Sequence, residues 1–143
     1  MRHFSLAVVA VMILSGCDTQ ESSTDLSFRT AATAYTPGSE VAVRLENGSD
    51  VSLGYNLCFT NVELERRQGR EWEVVPTSLG PDGPGGCLDV MLGLAPSESA
   101  ESSVWLPGGL GAGRYRLAID VEVGIDRERS DRARVVTNPF EVE

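Results

Sequence analysis

The sequence feature that most constrains the fold is an alternation of apolar and polar residues in short runs. In the clearest run, residues 115–123, the odd-numbered positions are apolar and are predicted to face inward: Tyr115, Leu117, Ile119, Val121 and Val123. The intervening positions are predicted to face outward: Arg116, Ala118, Asp120 and Glu122. A period of two is typical of a β-strand, so this run predicts a central strand with one face in the core. No segment shows a convincing helical period, which favours an all-β chain.

Shorter runs with the same alternation lie between turn residues along the rest of the chain. Val41, Val43 and Leu45 precede the turn sequence Asn47–Asp50, and residues 62–66 and 72–75 flank a predicted hairpin turn. Leu64, together with Trp72 or Val74, is expected on the buried side of that hairpin. About seven to nine such strands predict an antiparallel β-sandwich.

Five short phrases of the sequence occur in the order found in bacterial immunoglobulin-like domains, and the resemblance covers residues 26–143. The phrases are Tyr35–Gly38, Val41–Asn47, Leu64–Arg66 with Trp72, Gly113–Leu117 and Asn138–Val142. The resemblance implies an Ig-like sandwich, and Gly113–Leu117 looks like a tyrosine corner, in which the Tyr hydroxyl bonds back to the preceding loop. Leu117 stands where an antibody domain has its second cysteine, so antibody-type recognition loops do not carry over.

The first seventeen residues have the pattern of an export signal. Arg2 and His3 give a basic start, Phe4–Leu14 is an apolar run too short to span a bilayer by itself, and Leu14–Cys17 closes it. The closing sequence resembles the lipobox of bacterial lipoproteins, in which the cysteine thiol receives a diacylglyceryl group with acyl chains such as palmitate. The alternative is an ordinary signal peptide, which would leave Cys17 as an unpaired thiol.

The lipobox resemblance implies three segments and a location. Residues 1–16 are the signal peptide, residues 17–25 are the lipidated cysteine and a polar, flexible tether, and residues 26–143 are one Ig-like domain. The protein is then expected in the bacterial cell envelope, lipid-anchored to a membrane and exposed to the periplasm or the exterior. The formal net charge of −9 disfavours nucleic-acid partners, because phosphate backbones are repelled.

The other two cysteines, Cys58 and Cys87, are expected to form a disulfide, since an export signal implies an oxidising compartment. The bond would hold the loop Gly80–Gly86, whose Gly and Pro residues exclude helix and central strand. A redox or metal-binding thiol pair is the alternative, but close CxxC spacing and a histidine partner are missing.

The sequence contains few groups for catalysis, and no catalytic, cofactor-binding or metal-ligating residue is assigned. The single histidine, His3, lies in the signal segment, and there is no lysine. These absences exclude the usual Ser-His-Asp, Cys-His, Ser-Lys and Schiff-base mechanisms. Carboxylate pairs such as Glu63 with Glu65, or Asp120 with Glu122, are interpreted as solvated charges on outward strand faces.

Two further features are candidate binding positions. Asp82 and Asp89, with the cluster Asp120, Glu122, Asp126, Glu128 and Asp131, offer oxygen ligands for Ca²⁺, although interleaved arginines favour a self-neutralising loop. Trp105, beside Pro107–Gly109, is either a partner contact or buried packing at the end of a sheet.

The most favoured function is a non-catalytic binding or assembly module that recognises an envelope or extracellular protein, with Trp105 and Asp82 as candidate contacts. The alternative is a protease inhibitor that uses the loop Gly80–Gly86. An enzyme that relies on carboxylates alone is the third and least favoured function.

Overall fold

The computed structural model describes residues 25–82 and 86–143, and all regular structure in them is β-strand. The strands, in chain order, are β1 (Leu26–Thr30), β2 (Ala34–Tyr35), β3 (Glu40–Asn47), β4 (Leu53–Tyr55), β5 (Glu63–Gln68), β6 (Glu71–Val75), β7 (Leu92–Leu94), β8 (Ser99–Trp105), β9 (Gly113–Val123), β10 (Asp131–Val136) and β11 (Phe140–Val142). The all-β prediction is confirmed. Eleven strands appear instead of seven to nine, because several pairings are only two or three residues long. In these described ranges, no helix is long and apolar enough to cross a membrane.

The strands form two sheets that pack into a sandwich. One sheet has the order β1-β3-β8 and is antiparallel throughout. The other is organised around β9, which pairs with β10 and β11 along one edge and with β4 and β5 along the other. Strand β6 extends this sheet from β5, β7 extends it from β4, and β2 joins β11 in parallel.

The core lies between the sheets and follows from the alternation. Val41, Val43 and Leu45 on β3 are buried in one hydrophobic cluster with Leu117 and Ile119 on β9. Full burial of each such side chain contributes about 1.5 to 3 kcal/mol. Because both long strands place every second residue in this cluster, they fix the register of the sheets.

The start of β9 has the hydrogen bond that defines a tyrosine corner. Tyr115 is buried, and its hydroxyl donates to the Gly111 carbonyl at 2.7 Å. Its ring stacks on Phe140, with ring centroids 6.3 Å apart, and Phe140 and Tyr35 form a T-shaped aromatic pair. The loop before β9 is thus tied to the aromatic part of the core.

Some burial predictions were wrong. Ala118, predicted to face solvent, is fully buried, because it lies in the middle of the sheet between Glu63 of β5 and Val136 of β10, both with longer side chains. Of the two alternatives for the buried side of the hairpin, Trp72 is half-buried and Val74 is exposed, so the prediction holds for Trp72. Glu65, predicted to be a solvated charge, is also buried.

Candidate interaction surface

The most unusual surface feature is the exposed apolar segment Leu88–Leu92. Leu88, Val90, Met91 and Leu92 have exposed fractions between 48% and 81%. In the part of the chain that the structure describes, the other exposed large hydrophobic residues are Ile125 and Val74. Clustered apolar exposure of this kind marks interaction surfaces in soluble domains, whereas single exposed residues such as Val74 are ordinary.

The apolar segment is held at its beginning and in its middle. A disulfide joins Cys87 to Cys58, with the two Cα atoms 5.5 Å apart. Asp89, between the apolar residues, makes polar contacts. Its Oδ1 accepts hydrogen bonds from Asn56 Nδ2 at 2.8 Å and Asn61 Nδ2 at 3.0 Å. The backbone around Val90 is therefore tied to residues 56–61 by one covalent and two polar contacts.

The end of the segment is held by β7 and by a buried amide. Leu92 pairs with Tyr55 at the start of the β4–β7 ladder. Asn47 is 1% exposed, and its Nδ2 donates to the carbonyls of Leu94 and Val51 at 3.0 and 2.8 Å. The sequence predicted a turn at Asn47 but not this burial, because the same residue type serves both purposes.

Glycines allow two apolar side chains to lie on the outer face of β4. A Cβ atom at Gly54 would lie 2.5 Å from Met91 Sδ and 2.9 Å from Ile125 Cγ2, and one at Gly93 would lie 3.6 Å from Ile125 Cδ1. Met91 and Ile125 thus pack over Gly54, and Ile125 also packs over Gly93. Ile125 therefore extends the apolar segment onto the sheet face.

A groove of about 320 Å³ borders the apolar segment at Met91. Its charged lining consists of Asp89, Asp120, Glu122 and Arg132, so carboxylates outnumber guanidinium groups three to one. Glu122 accepts a long hydrogen bond of 3.4 Å from Ser130 Oγ, and Arg134 lies 3.7 Å from Asp120. Three of the predicted acidic residues therefore meet at one groove.

A second polar cluster covers the outer face of β5 and β9, with the buried Glu65 at its centre. Arg116 Nε donates to Glu65 Oε2, and Arg134 donates to Glu65 Oε1 at 2.7 Å and also pairs with Glu63. The Arg116 guanidinium stacks over the Trp72 ring, 4.4 Å from its centroid. This network is internally paired, which points to a structural role.

The network also shifts two pKa values. Burial alone raises the pKa of Glu65, but hydrogen bonds and charge from Arg134 and Arg116 outweigh burial, so its pKa lies below the ordinary glutamate value. The hydrogen bond to Glu65 raises the pKa of Arg134 above the ordinary arginine value. Both partners therefore stay charged at neutral pH.

The two predicted partner contacts lie outside the apolar segment Leu88–Leu92. Trp105 is half-buried and lines a small pocket with Phe59, Pro81 and the disulfide. Asp82 is exposed, next to residues 83–85, which lie outside the described residues, as does Cys17. Within residues 25–82 and 86–143, no group of three or more His, Cys, Asp or Glu residues is placed to hold a metal ion.

Residues 22–138 match the family described as "Bacterial Ig-like domain". The chain belongs to this family. Ig-like domain families are generally non-enzymatic and are commonly extracellular or exposed in the cell envelope, which agrees with the sequence interpretation.

Among solved structures, the bacterial Ig-like domain is similar to the ASH/PapD-like domain of human CEP192 (PapD-like domain 7). The identity is 17%, the TM-score is 0.41, and the alignment covers 99% of this chain and 98% of the human chain. At this TM-score the similarity carries no functional argument. No curated protein matches the chain in sequence.

Proposed function

We propose that this chain is a lipid-anchored, non-catalytic binding module of the bacterial cell envelope. Residues 1–16 act as its signal peptide, Cys17 carries the lipid, residues 17–25 are the tether and residues 26–143 present the binding surface. The family assignment supports a binding or assembly role. The observation that carries the proposal is the exposed apolar segment Leu88–Leu92, which is held in place at both ends.

Fixing the segment favours binding for an energetic reason. A flexible loop that becomes ordered in a complex costs about 1 to 2 kcal/mol of backbone entropy for each residue that is fixed. The disulfide, the Asp89 contacts and the β4–β7 ladder restrict this segment before any partner arrives. Burying its apolar surface then contributes about 25 cal/mol per Å² with a smaller entropic cost.

Substituting the lipidation cysteine tests the anchor. Cys17→Ser is expected to abolish labelling by radioactive palmitate and to release the protein from the membrane fraction, because the domain is acidic and has little attraction for anionic headgroups. Ser22→Ala, in the tether, is the control and keeps both properties. Unchanged membrane fractionation of Cys17→Ser would contradict lipid anchoring.

Crosslinking in intact cells, followed by purification and mass spectrometry, tests the binding role. Val90→Asp is expected to reduce the recovery of the crosslinked partner about tenfold or more, since a charge in the centre of an apolar contact must be desolvated. Val74→Asp is the matched control, because Val74 is 53% exposed and Val90 is 48% exposed, but Val74 lies on β6.

Three other results would contradict this surface. Equal recovery with wild type and Val90→Asp places the contact elsewhere, and no partner above background contradicts the binding role. The partner could also be lost when a neutral linker replaces residues 80–86, while its recovery with Val90→Asp stays at the wild-type level. That result favours the protease-inhibitor alternative.

A further inference from the structure

Strand β7 leaves one side open for strand addition. It lies at the end of its sheet, and among the described residues it pairs only with β4. The chain immediately before it, residues 86–91, belongs to no strand. An extended peptide can add to such an edge through main-chain hydrogen bonds, while exposed side chains supply further contact area.

The buried amide of Asn47 limits where an added strand can pair. Its Nδ2 already donates to the Leu94 carbonyl, so that acceptor is engaged. The exposed apolar side chains lie before Leu94, at Leu88–Leu92. Main-chain pairing and apolar contact therefore coincide at the beginning of β7 and in the residues that precede it.

The neighbouring groove adds a preference for a positively charged side chain on the partner. Asp89, Asp120 and Glu122 line it together with Arg132, and Met91 belongs to both the groove and the apolar segment. Its volume of about 320 Å³ is at the lower end of ligand-pocket volumes, which suits one long side chain. Arg134 contacts Asp120, but it also pairs with Glu63 and Glu65 and so does not neutralise the groove. Glu122 and Asp89 therefore still give the groove a negative charge.

We infer that the partner contributes an extended segment whose apolar side chains lie on Leu88–Leu92 and whose adjacent Lys or Arg side chain enters the groove. This inference rests on the proposed binding function and names the partner's chemistry. A second copy of this chain fits less well, because each copy carries a net charge of −9 and brings the same acidic groove to the contact.

Random peptides displayed on phage and selected against the purified full-length protein test this inference. Selected peptides are expected to combine several apolar residues with an adjacent Lys or Arg. Their binding, measured with synthetic fluorescent copies, is expected to weaken about tenfold or more in Val90→Asp and to stay unchanged in Val74→Asp. Glu122→Gln is expected to weaken it about three- to fivefold and to reduce its salt dependence, because one attractive charge is lost.

Several outcomes overturn the inference. These are a selection that yields no binders, peptides that are acidic or uncharged, binding that Val90→Asp does not change, and binding that Glu122→Gln does not change. Sedimentation that shows a dimer dissociated by Val90→Asp would assign the segment to a second copy. If cellular crosslinking still depends on Val90 while the peptides show no basic preference, only this inference fails and the binding function stands.

Discussion

Loss of the Cys58–Cys87 disulfide is expected to lower the free energy of unfolding by about 3 to 4 kcal/mol. The bond closes a loop between residues separated by 29 positions. The closed loop lowers the conformational entropy of the unfolded chain, which raises the free energy of unfolding of the oxidised protein. Urea unfolding with and without reductant measures the effect as a shift of the midpoint.

The double variant Cys58→Ser, Cys87→Ser is the control for reduction. Its unfolding midpoint is expected to match that of the reduced wild type and to be insensitive to reductant. Reduction is also expected to weaken partner recovery, because it frees the beginning of the apolar segment. Equal midpoints for the oxidised and reduced wild type would contradict a stabilising cross-link.

Replacing the buried carboxylate is expected to give the second large effect: Glu65→Gln lowers the free energy of unfolding by about 1 to 3 kcal/mol. The amide keeps the shape of the side chain but removes the charge that Arg116 and Arg134 face. The cost stays below that of a fully buried pair, because the Arg116 and Arg134 side chains are 23% and 39% exposed and solvent screens them.

Glu63→Gln is the matched control, since Glu63 is two residues away on the same strand, pairs with Arg134 and has a 48% exposed side chain. Its effect is expected to stay below about 1 kcal/mol, as for other surface ion pairs. Equal unfolding energies for the two variants would contradict the central role of Glu65.

The lowered pKa of Glu65 sets the pH dependence of this difference. A carboxyl whose pKa is lower in the folded state contributes its full stabilisation above its unfolded pKa, about 4.3, and loses it as the pH falls through the folded pKa. The difference in the free energy of unfolding between wild type and Glu65→Gln is therefore expected to be constant at neutral pH and to become smaller in acid. A difference that stays constant down to strongly acidic pH would contradict the ion pairing.

The alternation in the sequence correctly predicted strands with one buried face and one exposed face. Val41, Val43 and Leu45, and likewise Leu117 and Ile119, are buried as expected, because a half-buried strand needs period-two patterning. The alternation misplaced Ala118, whose burial depends on how wide the sheet is and on which strands flank β9. Strand neighbours are a long-range property that the local pattern does not contain.

The candidate surface was harder to predict than the fold. Leu88–Leu92 is visible as an apolar run, but an apolar run fits a buried strand equally well. Its exposure depends on β7 being an edge strand and on Gly54 and Gly93 leaving room for Met91 and Ile125. Likewise, Glu65 looks like any outward charge until β9 and β10 bring Arg116 and Arg134 beside it.

The most direct test of the binding function is a photo-crosslinking residue placed at position 90 in intact cells, with position 74 as the control. One dominant crosslinked protein is expected from position 90 and none from position 74, because the two valines have similar exposure but only Val90 lies in the apolar segment. Equal products from both positions, or no product from position 90, would contradict a binding surface at Leu88–Leu92.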